Sequence, residues 1–190
     1  MNKALYVLIP VGVILGIALL LGLWAMGSYN SLVRLDEGVS GAWAQVENQL
    51  QRRYDLIPNL VETVKGYAAH EREVLVAVTE ARARVGGAQS IPDKIGANQE
   101  LTSALSRLLV VVERYPDLKA NVNFLRFQDE LAGTENRIAV ERKRYNDAVR
   151  AFNVKIRSFP TNFIAGMFGF EKAEFFEAPQ EAKEAPRVKF

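Results

Sequence analysis

The chain holds no cysteine among its 190 residues. That single absence removes disulfides, thiol nucleophiles and cysteine-held metal centres together. Histidine is almost as scarce, His70 being the only one. His70-Glu71 opens like the helical zinc-protease motif, yet that motif needs a second histidine where Val74 stands. A di-iron bundle needs Glu-x-x-His pairs, and Tyr67 takes the place of the glutamate. No serine sits in a Gly-x-Ser-x-Gly turn, and no glycine-rich loop is built to cradle phosphate. A surplus of one charge is missing too: 24 Lys and Arg stand against 22 Asp and Glu. A nucleic-acid binder would show a basic excess or cluster, so nucleic acid is not an expected partner. The sequence therefore predicts no enzyme, no cofactor and no metal, with His70 a surface residue in a polar turn.

Charge is most completely absent between Ala4 and Gly27, an apolar run with no Asp, Glu, Lys or Arg. As a helix it would rise ~36 Å, enough to cross a hydrocarbon core of about 30 Å with some tilt. Residues 1–28 are expected to anchor the chain in the cell (inner) membrane as a single span. The competing reading is a cleaved signal peptide, with Lys3 as its basic start and Ala25-Met26-Gly27 as a small-residue cleavage site. The run exceeds the length of about 7–15 residues usual for a signal core. Tyr6 and Trp24 lie near opposite ends, where amphipathic rings favour the headgroup level. Gly12 and Gly16 form a G-x-x-x-G pair that Ala18 and Gly22 extend, a spacing that lets two helices approach closely in lipid. Glycine is also simply frequent in membrane helices, which is the plainer account. Lys3 and the α-amino group outweigh Arg34, offset by Asp36 and Glu37, so the positive-inside rule leans the body towards the extracytoplasmic, periplasmic side.

The rest of the chain predicts an extended antiparallel bundle of three or four long helices, residues 29–160, and no strand. Leu32, Leu35, Val39, Trp43, Val46, Leu50, Tyr54, Ile57, Leu60 and Val64 recur in steps of three and four. Pro58 should kink or break that helix, with Asp55 or a neighbour capping a restart that runs to about Val85. Gly86-Gly87 ends it, and Gln89 to Gly96 read as a loop. A third helix follows over Asn98–Arg114, closed by Tyr115-Pro116. A long one from Asp117 ends at Pro160, with Thr134 and Arg142 polar on its apolar stripe and expected to bond across the bundle. Gly133 in its middle predicts close backbone packing. The cluster Arg52, Arg53, Asp55, Glu135, Asn136 and Arg137 is the best candidate site, read first as a buried network that fixes register and second as a binding surface for a peptide or headgroup. Residues 161–190 form an aromatic segment and a flexible tail. Packing on the chain's own bundle is the default reading of this segment, and Phe163, Phe168 and Phe170 are its candidate membrane or partner contacts.

Several runs of residues together resemble the LemA family, bacterial single-span membrane proteins. They are Ala42-Trp43-Ala44-Gln45-Val46-Glu47, Gln51 through Val61, Thr63 through Ala68, Glu113 through Ala120, Gly133 through Ala139, Tyr145-Asn146 and Phe159-Pro160-Thr161-Asn162. The resemblance implies a helical bundle behind an amino-terminal anchor, and it does not supply a molecular function. It also implies an amino terminus outside, opposite to the charge count. Some relatives are associated with internal membrane compartments in magnetotactic bacteria. The resulting expectation is a membrane-anchored, non-enzymatic scaffold that forms homo-oligomers and organises the bilayer. The alternative is an adaptor that presents a helical surface to a membrane enzyme or protease.

Overall fold

The computed structural model describes residues 3–176, and they are all-α. Helix α1 spans Lys3–Lys65, α2 Arg72–Gly87, α3 Ile91–Val112, α4 Pro116–Lys119, α5 Val122–Arg157 and α6 Thr161–Met167. The described residues form two compact units, residues 3–41 with 147–173, and residues 42–146 with 174–176.

In the first unit, α1 exposes its apolar side chains from Leu8 to Leu23, with Leu8 66% and Leu20 67% exposed. Burial begins with Ser28 and Leu32 and continues at Val39. Val149, Phe152 and Ile156 of α5 and Ile164 and Ala165 of α6 are the other buried apolar groups of this unit. Helix α6 ends in a left-handed cap: Gly169 takes a φ of 73°, and the Phe170 amide donates to the Ala165 carbonyl at 3.0 Å. That reversal needs glycine. It brings the Phe170 ring to 5.9 Å from Tyr29 and 6.3 Å from Phe152.

In the second unit, α1, α2, α3 and α5 build a bundle. Its core holds Ile57, Leu60, Val64, Val78, Leu101, Leu108, Leu118 and Phe124, each no more than 1% exposed. From Trp43, the buried positions of α1 run Val46, Leu50, Arg53, Ile57, Leu60 and Val64, alternating steps of three and four as in a coiled-coil seam. Arg53 thus occupies a core position. Trp43 packs edge-on to Tyr145 at 5.4 Å, and Arg53 meets Glu135 at 2.8 Å. Ten residues forward on α1 match ten residues back on α5, so these helices are antiparallel.

The structure corrects several expectations. Pro58 does not break α1, which continues to Lys65. The carbonyl that Pro58 cannot bond is that of Tyr54, and it accepts from Arg82 Nε at 3.3 Å. An outside donor replaces the missing helical one. The break falls instead at Gly66–Glu71, and Asp55 caps nothing but accepts from Gln51 within the helix. Most of the loop expected over 89–96 is helix. Ser90 is the N-cap of α3, accepting from the Asp93 amide, and Pro92 lies in the first turn. These are start signals for a helix. A separate short α4 precedes α5, which starts at Val122 rather than Asp117. Thr134 is fully buried but bonds the Leu131 carbonyl of its own helix. Arg142 lies 5.7 Å from the ring of Phe176. Nothing packs closely on Gly133, where an added Cβ would meet only the Arg137 guanidinium at 4.0 Å.

Candidate functional site

The substitute donor at Tyr54 builds one wall of a cleft in the second unit. Arg82 lies over the Tyr54 ring at 3.9 Å while its Nε holds the Tyr54 carbonyl, so the ring is fixed from above and through its own backbone. Gly86 lets the ring settle there: a Cβ at that position would stand 3.1 Å from the Tyr54 hydroxyl. Around this ring, Glu47, Leu50 and Gln51 of α1, Val85 and Gly86 of α2, Ala88, and Lys94 and Asn98 of α3 enclose about 340 Å³. Lys94 and Glu47 form an ion pair within the lining. Asn98 is 5% exposed and donates to the Lys94 carbonyl at 2.8 Å. Its Oδ1 has no hydrogen-bond partner among the described residues. The lining therefore presents to the cleft one phenol and the mutually paired Lys94 and Glu47, while the Asn98 Oδ1 is sealed from solvent.

Of the six polar residues expected to form a network, the structure joins two. Arg53 is 6% exposed and bonds Glu135, whose side chain is 53% exposed. Burial pulls the Arg53 guanidinium below its ordinary pKa, and the Glu135 carboxylate opposes that fall through charge and hydrogen bond. The Arg53 Nε has no partner among the described residues. Arg52, Asp55, Asn136 and Arg137 are exposed. One helical step separates Arg52 from Arg53 and turns its side chain out of the seam.

Other polar groups meet where the sequence did not place a site. At the turn end of the bundle, Glu71 accepts from Tyr115 and Arg114, each at 2.9 Å. Asn121 donates to the Tyr67 hydroxyl. The bond to Glu71 raises the Tyr115 pKa, with burial adding to it. His70 is exposed beside this cluster in sequence. Among the described residues no group of three His, Cys, Asp or Glu could hold a metal.

The non-helical segment after Phe170 is held by side-chain amides. In the first unit, Asn153 Nδ2 donates to the Ala173 carbonyl and its Oδ1 accepts from the Ala173 amide, at 2.9 and 3.0 Å. In the second, Asn146 grips Phe176 in the same way at 3.0 and 2.8 Å, and the Tyr145 hydroxyl donates to the Glu174 carbonyl. Burial, followed by the nearby Glu174 charge, raises the Tyr145 pKa. Two asparagines seven residues apart within α5 are the signal that could have revealed this grip, because asparagine is a poor helix former that bonds backbone readily.

The sequence model of the LemA family matches residues 42–190. The chain belongs to the LemA family. The match takes in Arg53, Glu135 and the whole cleft, and it starts after the apolar run. Among curated relatives, Magnetosome protein MamQ 2 of Paramagnetospirillum magneticum is 28% identical over 178 residues, which cover 78% of this chain and 64% of that protein. Magnetosome protein MamQ of Magnetospirillum gryphiswaldense is 26% identical over 174 residues, with the same coverage. Protein LemA of Metamycoplasma hominis is 26% identical over 156 residues, 82% of this chain and 71% of that one. The chain therefore spans just under two thirds of the length of the magnetosome relatives it matches.

For this LemA-family chain, the described residues hold one helix long and apolar enough to cross a membrane. Around Gly12, Gly16 and Gly22 an added Cβ would meet nothing within 4 Å. Among the aromatic candidates, Phe163 and Phe168 are 64% and 56% exposed, whereas Phe170 is half-buried between Tyr29 and Phe152.

Proposed function

We propose that this protein is a membrane-anchored, non-enzymatic scaffold that self-associates and organises the bilayer around it. The observation that carries this reading is α1 itself. Its residues from Leu8 to Leu23 expose apolar side chains that water would not tolerate as a contiguous face. The same unbroken helix supplies a wall of the bundle core. The open glycine face of the span supports self-association in lipid. Kinship with relatives named for the magnetosome supports a role at membranes.

The test is the full-length chain returned to lipid. It should resist alkaline extraction from membranes and run as a multimer in mild detergent. A protein that washes off, or that stays strictly monomeric at micromolar concentration, sinks the proposal. A thiol reagent that cannot cross membranes, applied to Val122→Cys, reads the side on which the body lies. The second reading, an adaptor for a membrane enzyme or protease, is favoured by the Tyr54–Asn98 cleft, a concave surface on the bundle. Crosslinking in cells that yields only self-adducts would dismiss it.

A further inference from the structure

Ser158 to Phe170 contains no Asp, Glu, Lys, Arg or His. Four of its residues are phenylalanine, with Ile164 and Met167 between them. Its apolar side chains divide into two sets. Ile164 and Ala165 of α6 face the protein and are buried, as is Thr161. Phe159, Phe163, Met167 and Phe168 are 81%, 64%, 76% and 56% exposed. Phe159 and Phe163 also pack edge to face at 5.9 Å, so two of the four exposed side chains form one aromatic pair.

The position of this surface along α1 is fixed by one contact. The Phe168 ring lies 4.6 Å from the ring of Tyr29. Tyr29 follows the end of the apolar run, Gly27, by two residues, which is ~3 Å of helical rise. Trp24, five residues before Tyr29, is 39% exposed. The Phe168 end of α6 therefore stands at the level where the span would leave the hydrocarbon. Lys155 and Arg157 close α5 immediately before the segment, and Glu171 and Lys172 follow it with no net charge. Cations beside an aromatic, uncharged stretch suit the headgroup region.

We infer that Phe159, Phe163, Met167 and Phe168 seat α6 in the headgroup–acyl boundary of the bilayer as a second attachment beside the span. This rests on the reading of α1 as a membrane anchor. The occupant is lipid rather than a second copy of the chain. The face has no charge to set an orientation with a protein partner, and it lies against the exit of the span. Two attachments restrain the first unit about the axis of α1, which a lone helix in fluid lipid would leave free to rotate.

The absence of cysteine makes the test direct. Nitroxides are placed singly by Phe163→Cys and Met167→Cys in the full-length protein, in vesicles of phosphatidylcholine with phosphatidylglycerol. Leu19→Cys reports the span, and Val122→Cys, at a residue 79% exposed, reports water. All four positions are exposed, so the fold should tolerate the labels, and circular dichroism checks this. Collision with oxygen should exceed collision with a water-soluble nickel chelate several-fold at 163, 167 and 19, and the order should reverse at 122. Nickel access at 163 and 167 equal to that at 122, with 19 still protected, overturns the second attachment and leaves the anchor standing. Low access to both reagents at 163 and 167 marks a protein contact and overturns it as well. Nickel access at 19 overturns the anchor, and this inference falls with it.

Discussion

Arg53 and Glu135 make an asymmetric pair, and the two halves should respond differently to removal. Arg53 is 6% exposed and its Nε is unpartnered, while the Glu135 side chain is 53% exposed. Replacing Glu135 by alanine leaves a desolvated guanidinium without its carboxylate. Loss of one partner from a fully buried pair costs ~3–5 kcal/mol. Half of Glu135 already faces water, so the cost here should be nearer ~1–3 kcal/mol. Arg53→Met instead removes the buried charge and the orphaned Nε and keeps the apolar stem that fills the seam. Glu135 then returns to water at little cost, and the change should be neutral or stabilising by about 1–2 kcal/mol. For a chain of this size, 1 kcal/mol corresponds to roughly 2–4 °C in Tm. Thermal unfolding of the full-length protein in detergent, followed by helical circular dichroism, should show a loss of several degrees for Glu135→Ala and none for Arg53→Met. The double variant should track Arg53→Met. If Arg53→Met loses as much as Glu135→Ala, the guanidinium is contributing net stability and the reasoning is wrong.

Gly133→Ala should raise stability by ~0.5–1 kcal/mol, since the new Cβ meets only Arg137 at an ordinary contact distance and the helix loses its most flexible residue; a fall in Tm would contradict this. Tyr145 has a raised folded pKa, so its contribution to stability is whole below the ordinary tyrosine value of about 10 and is lost as pH climbs through the higher folded value. Absorbance titration should show a late-ionising tyrosine that Tyr145→Phe removes, and an unchanged curve would refute the assignment. Asn146→Ala deletes both bonds to Phe176, so the Phe176 amide should exchange with deuterium at least several-fold faster; equal rates would mean that the asparagine does not hold the segment.

Helix α1 shows how far a pattern can be read. Its apolar face was legible from Leu32 to Val64 because spacing by three and four states which residues share a stripe. The structure buries Leu32, Val39, Trp43, Val46, Leu50, Ile57, Leu60 and Val64. The effect of Pro58 was not legible. Whether a proline breaks a helix depends on who satisfies the carbonyl four residues earlier, and Arg82 is 28 residues away from that carbonyl. The same limit applies to the polar candidates. Composition could nominate Arg52 through Arg137, but one step around a helix separates the buried Arg53 from the exposed Arg52.

Chain order alone determined the all-α class, the apolar run near the amino terminus, and the likeness to the LemA family. These follow from local periodicity and from the length of uncharged sequence, neither of which needs a neighbour. Tertiary structure alone decided that Arg53 lies in the core seam, that Tyr54, Lys94 and Asn98 line one cleft, and that Phe168 rests on Tyr29. Each of those joins residues dozens to more than a hundred positions apart, and only the packing of whole helices sets such distances.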